Sequence, residues 1–325
     1  MTHTPLLAEH GGPDDGPPAD FDFSTNASPL GPPPALLRAV RAADRRSYPD
    51  PNYRALRRRL GDGELVLPTA GGAEGIRRLT LAALLTGRRE VWVPQPGFGD
   101  YALAAQALGL AVKPYARPAD IRPAAPALVW ICEPCNPTGE SVATWPGVDA
   151  LLIVDRAYEP LRLQGEAPPL PAGAWQLISP NKALGLTGIR AGYCVAPAAD
   201  AVWAHALSLA PSWVLSAEGA ALLMHWLDED TQAWLDDARA QLRVLTAAQR
   251  ALLAGLGWQQ RDSGTNFWLA RPPQADMLPR LRERGIRLRD ATSFGLPGWV
   301  RLSAQPPAAQ QALQLAVLEI EGEDS

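Results

Sequence analysis

The chain has 325 residues, of which 47% are hydrophobic and 20% charged, and its formal net charge is −4. This composition is typical of a soluble globular protein with two domains and excludes disordered, fibrous and membrane-spanning chains. The acidic balance, the lack of a signal-peptide pattern and the odd count of three cysteines predict a cytoplasmic protein that binds neither nucleic acid nor membrane.

The first part of the chain is predicted to be an extended arm. Residues 11–34 contain GGPDDGPP and LGPPP, which are too rich in proline and glycine for a helix or a central strand. Helices are predicted next, over ALLRAVRAADRR and YRALRRRLG, because their apolar residues recur at helical spacing. We therefore assign residues 1–34 to an arm that packs on a smaller domain.

The middle of the chain alternates short apolar runs with helical segments. DYALAAQALG is a predicted helix, and the predicted strands are EVWVP, LAVKPY, ALVWICEP, ALLIVDRAY, AWQLISP and GYCVAP. Strands that are this uniformly apolar are usually buried on both faces, which indicates a parallel or mixed sheet covered by helices. The predicted fold class is α/β, with residues 35–210 as the large domain.

Longer helical stretches dominate from about residue 200. AVWAHALSLA is a predicted helix, and a second helix over about 216–254 is so long that we expect a kink or a break in it. Short strands are predicted around TNFWLAR and GWVRLSA. We assign residues 211–325 to the smaller α+β domain.

Lysine is almost absent from this chain. Of its 30 cationic side chains only Lys113 and Lys182 are lysine, and the others are arginine. Arginine stays protonated at biological pH, whereas a lysine whose pKa is lowered can attack a carbonyl and form a Schiff base. The segment SPNKALGLTGIRAGY therefore makes Lys182 a candidate nucleophile, although a lysine retained by chance stays open at this point.

Polar side chains follow two of the predicted strands. VWICEPCNPTG places Asn136 after one strand, and LLIVDRAY places Asp155 at the end of the next, with Tyr158 three residues later. In an α/β sheet these positions are carboxyl ends of strands, where ligands bind. A carboxylate that follows four apolar residues needs a cationic or protonated partner.

The cysteines at 132 and 135 match the C-x-x-C spacing of redox and zinc sites. Prolines flank the second of these cysteines, so no helix N-terminus is available to lower the pKa of a thiol. No second pair of Cys or His residues offers zinc a tetrahedral site. We therefore predict no metal site.

The series NPTG, D-x-A-Y, S-x-x-K and G-x-R-x-G-Y resembles the fold type I pyridoxal-phosphate enzymes of the class I/II aminotransferase superfamily over most of the chain. The resemblance implies a three-layer αβα large domain with a mostly parallel sheet, a smaller α+β domain, and pyridoxal 5'-phosphate bound covalently by Lys182. Asp155 would then pair with the pyridine nitrogen, and Asn136 and Tyr158 with the phenolic oxygen. The other implied cofactor contacts are Gly71, Gly72, Ala73, Ser179 and Arg190 at the phosphate, Phe98 on the ring, and Tyr48 at the phosphate of the neighbouring subunit in a homodimer.

Three residues depart from the pattern of that superfamily. Arg156 replaces a usual glutamate, Cys135 replaces a usual asparagine, and Asn181 precedes the lysine where serine or threonine is commoner. The first two only neighbour the implied contacts, whereas Asn181 puts one phosphate hydrogen bond in doubt. The loop TAGGAE also departs from the commoner G-N-G-x-x-E.

Further segments indicate a branch of the superfamily. EHGG at 9–12, DFSTNASPLGPP at 22–33, YPDPNY at 48–53 and PGFGDY at 96–101 resemble the threonine-phosphate decarboxylases of cobalamin biosynthesis, which are relatives of the histidinol-phosphate aminotransferases. This resemblance implies a small phosphorylated amino acid as substrate, and clustered guanidinium groups suit its anionic groups. The implied substrate contacts are His10, Asn26, Arg289 and Arg301, with Arg287 as an alternative to Arg289.

Three functions are compatible with these motifs. Decarboxylation of threonine phosphate is the first prediction, amino transfer of the histidinol-phosphate type is the alternative, and a non-catalytic binding protein with the same fold is the second alternative. The motifs predict the cofactor but do not determine which bond at the α-carbon breaks.

Overall fold

The computed structural model describes residues 9–61 and 65–323. Its strands and helices, in chain order, are β1 Phe21–Asp22, α1 Pro34–Arg41, α2 Arg54–Leu60, β2 Val66–Thr69, α3 Gly72–Leu85, β3 Glu90–Pro94, α4 Asp100–Ala107, β4 Ala111–Tyr115, β5 Ala127–Cys132, β6 Leu151–Asp155, β7 Trp175–Ile178, β8 Gly192–Val195, α5 Ala201–Ser208, α6 Ala217–His225, α7 Glu229–Gly255, β9 Gln259–Gln260, β10 Phe267–Arg271, α8 Met277–Glu283, β11 Ile286–Arg287, β12 Arg289–Asp290, β13 Val300–Ser303 and α9 Pro307–Glu323.

A seven-stranded sheet forms the centre of the larger part of the molecule, with the strand order β2-β8-β7-β6-β5-β3-β4. Strands β7, β6, β5, β3 and β4 follow one another in the sheet and run parallel, whereas β8 runs antiparallel to both β2 and β7. The α/β fold class and the mostly parallel sheet predicted from the apolar runs are therefore confirmed.

The faces of the sheet are both buried, as strand β5 illustrates. Its successive side chains point to opposite faces. Leu128 and Trp130 pack into one hydrophobic cluster with helices α1 to α6, whereas Val129 and Ile131 pack into a second cluster with residues after β4 and β5. This double burial explains why the sequence of β5 is apolar at every position.

A four-stranded antiparallel sheet, in the order β12-β13-β10-β9, lies at the centre of the smaller part. Its core packs Trp258 and Trp268 against α8, α9 and the last turns of α7. The N-terminal segment joins this core, because β1 pairs with β11 and Phe23 is fully buried in the same cluster. The arm prediction is compatible with this contact, while the exact domain boundaries stay a proposal.

The long helical stretch after residue 216 is divided into α6 and α7 by Trp226–Asp228. Ser216 begins α6 as its N-cap, with its hydroxyl accepting a hydrogen bond from the N–H of Gly219. Helix α7 then contributes Leu242 to the core of the larger sheet and Leu253 to the core of the smaller one. In the described residues no helix is both long and apolar enough to span a bilayer.

Candidate active site

A cavity of about 330 Å³ opens where the carboxyl ends of β5 and β6 meet the smaller sheet. Cys132 and Asp155 line it from those strand ends, and Glu9 and His10 line it from the N-terminal segment. Of the residues predicted from sequence, the cavity brings together His10, Asn26, Ala73, Phe98, Asn136, Asp155, Tyr158, Lys182, Arg190, Arg289 and Arg301.

Lys182 lies in the loop that follows β7 and is half-buried. Its backbone oxygen accepts a hydrogen bond from the N–H of Ser28 at 2.9 Å, which ties the loop to the N-terminal segment. Its Nζ lies 5.3 Å from the centre of the Tyr158 ring. The only lysine in the cavity lining therefore sits beside the two strand ends that carry Asp155 and Asn136.

Asp155 is buried at the end of β6, and both of its carboxylate oxygens accept hydrogen bonds. Oδ2 accepts from the hydroxyl of Tyr101 at 2.7 Å, and Oδ1 accepts from the backbone N–H of Ala157 at 2.9 Å. Burial raises the pKa of the Asp155 carboxyl above its usual value, and the bonds from Tyr101 and Ala157 and the charge of Lys182 oppose that rise. A buried carboxylate of this kind is suited to a protonated ring nitrogen.

The start of α3 forms a small anion-binding concavity with two side chains from later in the chain. A Cβ placed on Gly71 would lie 2.7 Å from Nη2 of Arg190, and one placed on Gly72 would lie 3.1 Å from Oγ of Ser179. The buried Ser179 hydroxyl has no hydrogen-bond partner in the described part of the chain. Free N–H groups at a helix start, a guanidinium and an unpaired hydroxyl together fit the phosphate of a cofactor such as pyridoxal phosphate.

Arg301 reaches the opposite side of the cavity from β13 and is 5% exposed. Its Nη1 donates to Oδ1 of Asn136 and its Nη2 to the backbone oxygen of Ser24, both at 2.6 Å. Its Nε has no partner, and no ion pair among residues 9–61 and 65–323 includes it. Burial lowers the pKa of Arg301 to about 10, so this cation is held without a compensating carboxylate.

Asn136 and Asn26 meet next to this guanidinium. Asn26 Nδ2 donates to Oδ1 of Asn136 at 3.4 Å, so that oxygen accepts from both Asn26 and Arg301. The amide nitrogen of Asn136 is left to donate to a ligand, which suits its predicted contact with a phenolic oxygen. Asn26 Oδ1 is buried without a partner in the described residues.

Arg289 is the second buried guanidinium in the cavity lining. Its Nη1 donates to a carboxylate oxygen of Glu9 at 3.1 Å, its Nη2 donates to Ser293 Oγ at 2.6 Å, and its Nε has no partner in the described chain. Arg287, the alternative to it, instead pairs with Asp14 and does not line the cavity. Of the two arginines, the structure therefore places Arg289 at the site.

The EHGG segment crosses the mouth of the cavity. The His10 ring lies 5.5 Å from the Phe98 ring, and its Nε2 is 3.4 Å from a carboxylate oxygen of Asp100. A Cβ on Gly11 would lie 2.0 Å from the backbone oxygen of Ser24, so only glycine allows this close approach. His10 therefore lines the cavity.

Tyr48 does not reach the cavity of its own chain. Its side chain is 78% exposed and stacks on Trp213, with ring centres 4.4 Å apart. Its predicted contact with the cofactor phosphate of a neighbouring subunit stays a prediction.

The three departures from the superfamily pattern have separate roles. Arg156 donates to Oε1 of Gln176 at 2.8 Å and does not line the cavity. Burial raises the pKa of Cys135 to about 11, which keeps this thiol protonated. Asn181 donates to the backbone oxygen of Ile189 at 3.3 Å, so it braces its own loop.

Tyr101 is the functional candidate that the sequence analysis missed. It belongs to the PGFGDY motif, but only Phe98 of that motif received a role from the resemblance. Its contact with Asp155 joins residues 54 positions apart, and no local pattern reports such a pairing.

Comparisons with known proteins agree with this geometry. The model of the family "Aminotransferase class I and II" matches residues 20–317. The chain is 31% identical over 314 residues to the histidinol-phosphate aminotransferase of Halorubrum lacusprofundi, with 86% of this chain and 83% of that protein covered.

Two solved structures share the fold. The L-threonine-O-3-phosphate decarboxylase from Porphyromonas gingivalis has a TM-score of 0.76 at 24% identity, with 93% of this chain and 99% of that chain covered. The histidinol-phosphate aminotransferase from Sinorhizobium meliloti, solved in complex with pyridoxal-5'-phosphate, has a TM-score of 0.78 at 22% identity, with 94% and 92% covered.

Proposed function

The chain belongs to the class I and II aminotransferase family of pyridoxal-phosphate enzymes, and from that premise we propose that it decarboxylates a small phosphorylated amino acid, threonine phosphate. The observation that carries this proposal is the pair of buried guanidinium groups, Arg289 and Arg301, whose Nε atoms have no hydrogen-bond partner in the described residues. Cations buried in this way are suited to anionic groups that arrive with the substrate.

The number of these cations matches the anionic groups of threonine phosphate, which carries a carboxylate and a phosphate. Histidinol phosphate carries a phosphate but no carboxylate, so in amino transfer the second guanidinium would instead bind a carboxylate of the 2-oxoglutarate co-substrate. The placement of His10 beside Phe98 adds a third group that can donate a hydrogen bond to a phosphate.

Amino transfer of the histidinol-phosphate type is the second candidate, and the comparisons favour it. The curated relatives at 28% to 31% identity that we compared carry the name histidinol-phosphate aminotransferase. On sequence similarity alone, this reaction is better supported than decarboxylation. Both candidates share a phosphorylated substrate, so the assay must separate the reactions and not only the ligands.

The side chains of the cavity have distinct proposed roles. Bound at Lys182, the cofactor supplies an electron sink for the bond that breaks at the α-carbon. Asp155 would accept a hydrogen bond from the ring N–H, and Arg190 with Ser179 would hold the cofactor phosphate. Lys182 Nζ is the group that can give or take a proton at the α-carbon.

The substrate side of the cavity determines orientation. Arg301 would hold the carboxylate and Arg289 the phosphate, and these two contacts would set the orientation of the substrate α-carbon. Decarboxylation requires an orientation in which the bond to the carboxylate breaks, whereas amino transfer requires one in which the C–H bond breaks.

The proposal is tested by the products of two reactions. Enzyme loaded with pyridoxal phosphate is given threonine phosphate alone, or histidinol phosphate with 2-oxoglutarate, and CO2 and glutamate are measured. We expect CO2 from the first mixture without any keto acid. Glutamate from the second mixture, with no CO2 from the first, would establish the amino-transfer alternative.

The assembly and division of the chain are also proposals. We propose a cytoplasmic homodimer in which Tyr48 completes the neighbouring site, with an arm of residues 1–34, a large domain of residues 35–210 and a small domain of residues 211–325. The core around the larger sheet includes Leu222 and Leu235, which lie beyond that domain boundary.

A further inference from the structure

Tyr101 has a buried hydroxyl to which the proposed function assigns no role. Its side chain is fully buried, and its Oη lies 2.7 Å from Oδ2 of Asp155. Its ring stacks on Trp130 with centres 5.0 Å apart and an interplanar angle of 13°. The Phe98 ring meets it edge-on at 5.6 Å, so the hydroxyl is held between two aromatic contacts.

In the hydrogen bond between Tyr101 and Asp155, the tyrosine hydroxyl is the donor. Burial and the adjacent Asp155 charge raise the pKa of Tyr101 well above its usual value, so the phenol stays protonated and donates. Asp155 accepts this bond at Oδ2 and a second one from the N–H of Ala157 at Oδ1. Two donors on different oxygens determine the plane in which the carboxylate lies.

We propose that Tyr101 is the positioning residue of Asp155: its hydroxyl aligns the carboxylate with the cofactor's ring nitrogen and keeps the shared proton on that nitrogen. This inference rests on the proposed function, because it assumes the pairing of Asp155 with the ring nitrogen. A carboxylate that already accepts a strong hydrogen bond attracts a further proton less, so the proton remains on the ring side.

The position of Tyr101 in the chain links two parts of the site. Phe98 lies two residues before the start of α4, and Tyr101 lies in its first turn. The residue predicted to stack on the ring and the residue that orients Asp155 therefore come from one short segment. A shift of this segment moves both contacts together.

The test compares two tyrosine-to-phenylalanine variants. Tyr101→Phe removes one oxygen and keeps both aromatic contacts. Tyr115→Phe is the matched control, because Tyr115 is also buried and its hydroxyl donates at 2.7 Å to the backbone oxygen of Trp130. For each variant the affinity of the apoenzyme is measured for pyridoxal phosphate and for 1-deazapyridoxal phosphate, which has a carbon in place of the ring nitrogen.

We expect Tyr101→Phe to weaken pyridoxal-phosphate binding by about tenfold and not to weaken binding of the deaza analogue, because a hydrogen bond to a charged group is lost. Tyr115→Phe should change neither affinity. The inference is overturned if Tyr101→Phe weakens the binding of both ligands equally, or if it leaves pyridoxal-phosphate binding unchanged.

Asp155→Asn separates this inference from the proposed function. If Asp155→Asn weakens the binding of pyridoxal phosphate more than the binding of the analogue, and Tyr101→Phe does not, only the proposed role of Tyr101 is wrong. If Asp155→Asn changes the binding of both ligands equally, the pairing of Asp155 with the ring nitrogen is wrong, and the inference about Tyr101 is overturned with it.

A second replacement of Tyr101 is expected to change cofactor affinity in the opposite direction. It provides the test if Tyr101→Phe does not fold. 3-Fluorotyrosine at position 101 keeps the hydroxyl and makes it a stronger donor. It should raise the ratio of pyridoxal-phosphate affinity to analogue affinity, and a lower ratio contradicts the inference.

Discussion

Two buried charged side chains of this cavity, Asp155 and Arg301, belong to no ion pair within the described residues. Burial raises the pKa of the Asp155 carboxyl and lowers the pKa of Arg301. Each such group costs folding free energy that a well-packed apolar residue would not. Residues of this kind are expected where binding or catalysis requires them, because a site that binds charged ligands sacrifices stability for function.

The first prediction concerns the two lysines of the chain. Lys182→Ala should remove the covalent link to the cofactor and lower activity by about 10²- to 10⁴-fold, since we propose that this amine bonds the cofactor and moves protons. Absorbance of the bound cofactor and its fixation by borohydride measure the link. Lys113→Ala, in the edge strand β4, is the control and should behave like the parent enzyme. Borohydride fixation that persists in Lys182→Ala would show that the link lies elsewhere.

At the scale of elements, the N-terminal segment lines the cavity and is anchored by the residues that follow. Asp14 pairs with Arg282 and Arg287, and the N–H of Gly12 donates to Ser24 Oγ at 2.8 Å. Beyond this anchor Glu9 reaches Arg289, although the Glu9 side chain is 66% exposed. An exposed carboxylate therefore neutralises a buried cation that we assign to the substrate phosphate.

The second prediction follows from this contact. Glu9→Gln should tighten the binding of inorganic phosphate to the cofactor-loaded enzyme by about threefold to tenfold, because the anion no longer competes with an internal carboxylate. Isothermal titration measures the affinity. Asp15→Asn removes an equal charge from the same exposed segment and should leave the affinity unchanged. Weaker phosphate binding in Glu9→Gln would mean that Glu9 supports Arg289 instead of competing for it.

The junction between α6 and α7 is a second element whose stability can be tested. Asp228 accepts from His225 Nδ1 at 2.6 Å and from Arg59 Nη2 at 2.9 Å. The bond from His225, followed by that from Arg59, lowers the pKa of the Asp228 carboxyl. A lowered pKa in the folded state stabilises the fold above the unfolded-state value of 3.8, and this stabilisation is lost as the pH falls through the folded-state value.

The third prediction follows from this dependence of stability on pH. Asp228→Asn should lower the free energy of unfolding at pH 6 by about 0.5–1 kcal/mol, a range discounted for the exposure of the pair. The difference between parent and variant should shrink as the pH falls below 3.8. Urea unfolding at several pH values measures it. A difference that stays constant with pH would show that the charge of Asp228 is not responsible.

At the scale of the whole molecule, the site is assembled from both hydrophobic cores. Lys182 and Asp155 come from loops and strands of the larger sheet, whereas Arg289 and Arg301 come from the smaller one. Helix α7 packs into both cores and joins them. The stacked Tyr48 and Trp213 rings lie on the surface, and such an exposed aromatic pair is typical of an interface.

The fourth prediction is a dimer with shared sites. The mass in solution should be twice 34.8 kDa by sedimentation. Tyr48→Ala and Lys182→Ala proteins, unfolded together and refolded, should recover about a quarter of the parent activity, because each mixed dimer regains one intact site. Refolding either variant alone is the control. A monomer, or no recovery in the mixture, contradicts the shared site.

Much of the fold follows from local patterns. EVWVP is β3 as predicted, and the break between α6 and α7 lies within the stretch that was too long for one helix. Strand β2 was not predicted, because Val66–Thr69 is short and contains Pro68, which its place at the edge of the sheet tolerates. The periodicity and composition of a sequence indicate which segments are buried, so a short strand with a weak pattern is not recognised from them.

The amino-acid sequence by itself determined the chemistry: a single candidate amine, a carboxylate after an apolar strand, and motifs whose order identifies the cofactor. Tertiary structure alone decided which partners meet. It placed Arg289 and not Arg287 in the cavity, set Glu9 against that arginine, and joined Tyr101 to Asp155. The reason is physical, since side-chain identity and periodicity are local properties, whereas the contacts that tune a charge come from residues far apart in the chain and exist only after the two cores have packed.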